Sequence, residues 1–327
     1  MKTWGVLRVT ATALLFGEVG FAMAEIQKIE FTLVPGAPPA ADALRLARDS
    51  KGVFLAVSKT ASTPPMGAST TISALAPLGS GAKWSTIATL AEIVPAQPGW
   101  DICLALGDGP AIVHERPGGA INALLLRTAP GSAQALTGAY PLQSFSEPRF
   151  ARPSGGPPHW VTAVADNRTC VALPLGPNPA YRRLGECAAG MLVTIGSGFV
   201  YIFKTPVAGL VRGNLISPGR LHVETLDAEM HPTAPATDLF SGIVFEFDAD
   251  LAGDKLVIVA TTPEGLVVAS APARSLIAKF TGQELASHSI LTNPAIVTGP
   301  SGKATFAALD ATVPGEAHVV TAELAIP

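Results

Sequence analysis

Few residues in this chain stand at spacings that chemistry uses. The most suggestive run is Asp248-Ala249-Asp250-Leu251-Ala252-Gly253-Asp254. Carboxylates two positions apart, with Gly at the sixth place, are how a calcium loop combines hard oxygen ligands with a sharp bend. Asp248 and Asp250 are therefore the candidate metal ligands, with calcium the only cofactor the sequence suggests. The fifth place is Ala252 and the twelfth Val259, which lack side-chain oxygens. On ligand count, an acidic solvated hairpin is the plainer expectation. Arg149 and Arg152 lie in Pro148–Pro158, a Pro- and Gly-containing stretch that reads as a long surface loop. Loops on a rigid scaffold usually carry binding, so these two arginines are the candidate ligand-binding residues.

Other chemistry finds less support. A glycosidase sets two carboxylates across a cleft; Asp49, Asp101, Glu115, Glu224, Asp227, Glu246 and Asp310 are available, and sequence does not say which converge. His114 and Glu115 are neighbours on an expected strand and so point to opposite faces, one packing and the other meeting solvent. No Gly-x-Ser-x-Gly occurs. Ser80-Gly81-Ala82-Lys83 matches Ser-x-x-Lys without its companion motifs and reads as a turn. The histidines show no H-E-x-x-H spacing. Of the three cysteines, Cys170 and Cys187 could bridge across a Pro-rich segment. Cys103, inside ICLAL, reads as a small buried hydrophobe, and a Cys103–Cys170 pairing stays open.

Composition narrows the partners. Only 14% of residues are charged, against about 25% in an average globular domain. Lys2 and Arg8, the apolar run from Val9 and Ala22-Met23-Ala24 read as an export signal over residues 1–24. A single domain over 25–327 follows, secreted or periplasmic, with no membrane span once the signal is removed. The formal net charge is −3, which becomes −4 when the signal's +1 is lost. No basic surface for nucleic acid exists in such a chain. The expected partner is a protein, an envelope component or a small ligand.

The elements that would hold any site are short strands. Ile243–Phe247, Leu256–Ala260 and Leu266–Ala269 are apolar runs too short for helices, separated by turn residues. Counterparts of the middle run are Val53–Ser58, Ala111–Glu115, Trp160–Val164, Phe199–Lys204 and Ala304–Ala308. Their first residues are separated by 58, 49, 39, 57 and 48 positions, a period of about fifty that marks a propeller or a solenoid. The two chain ends together amount to about one more period, so Ile29–Val34 is expected to add a strand to the last unit and close a ring. Closure also removes exposed sheet edges. The expected fold is all-β, a six-bladed β-propeller of four-stranded antiparallel blades.

In one unit, FDADLAGDKLVIVA resembles the FG-GAP propeller repeat, whose Asp-rich turns hold calcium; the other five units lack that turn. Sialidases share the six-bladed architecture and use an arginine cluster for a substrate carboxylate, a role the resemblance would give to Arg149 and Arg152. Their repeated Ser-x-Asp-x-Gly-x-x-Trp box is absent, so this likeness is one of architecture. The leading functional expectation is a binding or scaffolding module, its axial face carrying scattered polar groups. The alternative is a hydrolase acting on a glycan or lactone, with at least two carboxylates converging on the axis.

Overall fold

The computed structural model describes residues 29–326, except for segments 63–67, 92–98, 119–120, 129–131, 136–143, 176–180, 208–217, 274–280, 286–290, 300–301 and 314–315 and positions 80, 82, 105, 107, 108, 154, 155, 167 and 241. The expected export signal, residues 1–24, lies outside the described residues. Among the described residues, twenty-four strands form six antiparallel sheets. A two-residue strand, β1 (Thr32–Leu33), comes first. Blade I holds β2 (Ala43–Asp49), β3 (Gly52–Ser62), β4 (Ala68–Leu75) and β5 (Ser85–Ala91). Blade II holds β6 (Trp100–Cys103), β7 (Ala111–Gly118), β8 (Ile121–Thr128) and β9 (Ser132–Ala135). Blade III holds β10 (Phe145–Phe150), β11 (Trp160–Ala165), β12 (Thr169–Pro174) and β13 (Arg182–Glu186). Blade IV holds β14 (Ala189–Ile195), β15 (Gly198–Pro206), β16 (Gly219–Leu226) and β17 (Thr237–Asp238). Blade V holds β18 (Glu246–Ala252), β19 (Lys255–Thr262), β20 (Gly265–Pro272) and β21 (Thr281–Leu285). Blade VI holds β22 (Leu291–Thr298), β23 (Lys303–Val313) and β24 (Glu316–Ala325), completed by β1. In blades IV and VI the fourth strand is thus only a two-residue strip, β17 and β1.

Side chains alternate between the two faces of a strand, and here both faces are covered by neighbouring blades. Along β19, Leu256, Ile258 and Ala260 pack toward blade IV while Val257 and Val259 pack toward blade VI. Six apolar clusters fill the six interfaces in this way. The interface that closes the ring sets Leu44, Leu46 and Leu55 of blade I against Ala295, Val297 and Leu309 of blade VI. Fully burying one such aliphatic side chain stabilises by about 1.5–3 kcal/mol, and that is the main force holding the blades together.

The chain ends meet as expected. Thr32 pairs with Thr321 and Leu33 with Val320, and Phe31 sets its ring edge-on to Phe306 at 5.8 Å. The bridge between Cys170, on β12, and Cys187, ahead of β14, is formed. Both cysteines are buried between blades III and IV. Closing a loop with a sequence separation of 17 stabilises by about 3 kcal/mol. Exchanging both cysteines for alanine should therefore cost about 3 kcal/mol in a denaturant titration, and the remaining stability should no longer respond to reductant. Among the described residues, no helix is long and apolar enough to cross a membrane.

Candidate active site

The first strand of each blade, β2, β6, β10, β14, β18 and β22, is the innermost, and these strands run in one direction around the axis. The parallel bridge from Arg152 to Val193 shows this for blades III and IV. Several buried charges lie on or next to these inner strands. Arg45, Asp101, Asp248 and Arg152 are at most 7% exposed, yet all are ionisable. Bonds between successive blades arrange them in tiers. At the N-terminal mouth, Glu115 of blade II accepts from the Glu147 amide (2.8 Å), and Glu246 of blade V accepts from the Asn293 amide. One level down, Asp101 accepts from the Phe150 amide (2.8 Å) and Asp248 from the Ile296 amide (3.0 Å). At the C-terminal mouth, Asp250 accepts from the amide and the hydroxyl of Thr298 at 2.7 and 3.0 Å. A strand rises about 3.3 Å per residue, so Glu246 and Asp250 lie about 13 Å apart along it.

Two inner strands are bent the same way. Both β10 and β22 carry a bulge, at Ser146/Arg149 and at Thr292/Ala295. Each bulge places a non-glycine residue before proline in the left-handed region: Glu147 at φ 53° and Asn293 at φ 51°. Such a conformation costs about 1–3 kcal/mol and persists only when its surroundings fix it. Here the preceding blade's carboxylate fixes it in both cases. Blades III and VI are opposite one another in a ring of six, so Glu147 and Asn293 face each other across the axis.

The N-terminal mouth is electrostatically dense. Lys204 of β15 is buried, donates to the Phe245 carbonyl and feels the charges of both Glu147 and Glu246. Burial lowers its pKa from the usual lysine value, and the two carboxylates pull it back up. Its stem fits only because position 219 is glycine; a Cβ there would lie 2.4 Å from Lys204 Cγ and 2.5 Å from the Thr205 carbonyl. Half-buried Glu147 is pushed above the ordinary glutamate range by loss of solvent, a shift opposed by Arg149, Lys204 and Arg45 and reinforced by Glu246. Glu115, 5% exposed, is pushed up by burial to about 7. A Cβ at Gly99 would meet its Cδ at 3.0 Å, so that glycine makes room for the carboxyl group.

A carboxyl group whose folded pKa exceeds its unfolded value holds its proton in the native state after the unfolded chain has lost it. Stability that is fully present below pH 4.5 is then lost as pH rises toward about 7. For Glu115 the loss is on the order of 3 kcal/mol. Denaturant midpoints measured from pH 4.5 to 7 should show a steeper fall for the wild type than for Glu115→Gln.

The middle tier holds an ion-pair network. Asp248 receives Arg152 Nη2 on both oxygens at 3.2 Å and has Arg149 Nη1 at 3.8 Å. Arg45 Nε lies 3.6 Å from Asp101 Oδ1 and its guanidinium packs over the Trp100 ring. Arg45 is lowered to about 10, by burial first and by the charge of Arg149 second. Arg45 Nε and Nη2, Arg149 Nη1 and the Asn293 Oδ1 acceptor are buried without hydrogen-bond partners among the described residues.

The structure brings together several residues expected to work apart. Arg149, Arg152 and Asp248 meet at the axis. The first residues of the expected surface loop Pro148–Pro158 belong to the inner strand β10, and Arg152 just beyond it is buried. Asp248 and Asp250 are not in a turn: β18 continues to Ala252, and the bend falls at Gly253, φ 65°. Asp248 is filled by two arginines and an amide, and one Asp250 oxygen by Thr298, so a cation here would have to displace those partners. No group of three or more His, Cys, Asp and Glu converges as a metal site among the described residues. His114 and Glu115 are both buried; neither meets solvent, because blade III covers the face expected to be open. Asp49, Asp227 and Asp310 cap exposed turns away from the axis.

Glu147, Lys204, Arg45 and Asn293 were not singled out by sequence. Neither was the bonded row Thr205–His222–Asp238 on blade IV, with Oγ1 to Nε2 at 2.7 Å and Nδ1 to Oδ1 at 2.8 Å. That row has a nucleophile relay's bonding, but Asp238 is 59% exposed, and it reads as a cross-strand ladder beside the stacked Tyr201 and Phe203.

No family model matches the sequence, and no curated protein is recognisably related to it by sequence. Solved structures do resemble the ring. One is the α-L-arabinofuranosidase Arb93A from Fusarium graminearum, in complex with an iminosugar inhibitor: TM-score 0.61 at 10% identity, over 92% of this chain and 98% of that one. Another is the Penicillium chrysogenum α-L-arabinanase complexed with arabinobiose: 0.59 at 10%, over 91% and 98%. A neuraminidase-like protein from A/bat/Guatemala/164/2009 gives 0.51 at 10%, over 94% and 97%. At these identities the likeness establishes the fold, a six-bladed propeller whose neighbours include glycoside hydrolases and a sialidase-like protein. The expectation of a binding or scaffolding module is corrected: carboxylates gather at the axis where scattered polar groups were expected, and the ring's neighbours include glycoside hydrolases.

Proposed function

We propose that this chain is a glycan hydrolase, secreted or periplasmic, acting at the N-terminal mouth of the ring. The observation that carries the reading is that Glu147 and Glu246, at one mouth of the ring, both act electrostatically on the buried Lys204. Glycosidases require one carboxyl group that keeps its proton and one that acts as base or nucleophile. Glu147, raised by its low-dielectric surroundings, is the proton donor to the leaving oxygen. Glu246, anchored on the Asn293 amide, is the base or nucleophile. Lys204 supplies a positive charge that both carboxylates feel. Export of residues 25–327 as one ring would put the enzyme where polysaccharide is found, and the Cys170–Cys187 bridge suits an oxidising compartment.

The names of the two arabinan-related neighbours make pentofuranosides the first substrates to try. The test is release of nitrophenol from an aryl α-L-arabinofuranoside, followed by a panel of aryl pentosides, hexosides, uronides and sialosides. Turnover of any member by the wild type supports the reading, provided that it is lost in Glu147→Gln. A folded protein that cleaves none of them and no arabinan or pectin overturns it.

A further inference from the structure

The C-terminal mouth of the ring, on the far side of the ion-pair tier, holds a separate cavity of about 360 Å³. That volume is within the range of small-molecule sites, about 300–1,000 Å³. Two guanidinium groups line it. Arg152 is a buried member of the lining, with Nη2 committed to Asp248. Arg48, exposed at the rim, lies against Gly299, where a side chain would come within 2.5 Å of Nη1. Both arginines line the one space. Two carboxylates stand nearby, and Asp250 is itself in the lining. Asp248 is shared between Arg149 and Arg152, and Asp250 gives Oδ2 to the amide and hydroxyl of Thr298. Guanidinium charge is left over, and the walls beside it, Ile102, Phe150, Leu251 and Val297, are apolar.

We propose that this cavity is a second binding site, for a small organic monocarboxylate whose anionic end meets Arg48 and Arg152 and whose apolar body lies against Phe150, Leu251 and Val297. Two arginines converging on one carboxylate supply charge-assisted hydrogen bonds, and an apolar wall rewards a hydrocarbon tail over a bare inorganic anion. The site shares no residue with the proposed acid and base at the other mouth.

Calorimetric titration of the intact protein with hexanoate and benzoate reads binding alone, so its outcome is independent of any hydrolysis. Expected are saturable one-site binding of at least one of them, a drop of about tenfold or more in Arg48→Gln, and a comparable drop for the neutral analogue hexanamide or benzamide. Arg48 is exposed, so its variant keeps the fold; its melting temperature is checked beside the wild type. Absence of binding by both acids, equal binding of acid and amide, unchanged affinity in Arg48→Gln, or binding of inorganic phosphate in their place would each overturn the proposal.

Discussion

Glu147→Gln lowers kcat on any glycoside the wild type cleaves by about 10²–10⁴-fold, the range that a positioned general acid supplies. Glutamine keeps the shape and the bulge but has no proton to give the leaving oxygen. The backbone amide of residue 147 still donates to Glu115, so far-UV circular dichroism and the unfolding midpoint should stay close to wild type. A further mark separates proton donation from a merely structural role. An aryl leaving group of low pKa needs little protonation, so the variant should lose far less activity on dinitrophenyl than on alkyl glycosides. An equal loss on both would remove Glu147 from the role of acid.

The second large effect is on stability. Asp248→Ala should cost about 3–5 kcal/mol, because it strands a buried guanidinium without its counter-charge. Asp248 is fully buried, the Arg152 side chain is 9% exposed, and 3.2 Å separates them. Guanidinium chloride titrations of the wild type and the variant measure the difference. The double variant Asp248→Ala, Arg152→Met should recover part of it, since the uncompensated charge leaves with its partner. A loss below about 1 kcal/mol, the range of exposed pairs, would mean that water reaches the pair.

Legibility of the sequence followed the side chains' surroundings. Each middle strand is sandwiched between two blades, so both of its faces are apolar, and runs such as VFLAVS and FVYIFK stand out. All six fall within β3, β7, β11, β15, β19 and β23. Inner strands have an edge on the axis, and the charges collected there break their apolar pattern. Hence PRF, the end of β10, merges into the expected loop, and DADLA, the end of β18, into the expected turn. Those charges are neutralised by partners far along the chain: Arg152 and Asp248 are 96 residues apart. A local window sees the charge and not its partner.

The site was therefore half visible. Arg149, Arg152 and Asp248 could be named from residue type and setting. Glu147 could not, because nothing near it reveals that Glu115, Lys204 and Glu246 surround it. One signal was present: Ser-Glu-Pro-Arg and Thr-Asn-Pro-Ala occupy matching places in blades III and VI, and a polar residue before proline inside a strand marks a bulge.

One consequence lies in the way the last blade is assembled. Its strands come from both ends of the chain, with Thr32 hydrogen-bonded beside Thr321. While the polypeptide is being synthesised, β1 emerges early and has nothing to dock on until the ribosome has delivered β24. The final sheet and the interface between first and last blades are thus the latest parts to form. Contacts so distant in sequence slow the overall reaction. A chain halted before residue 316 would carry five complete sheets, the β22–β23 pair of the sixth and an orphaned amino-terminal strip.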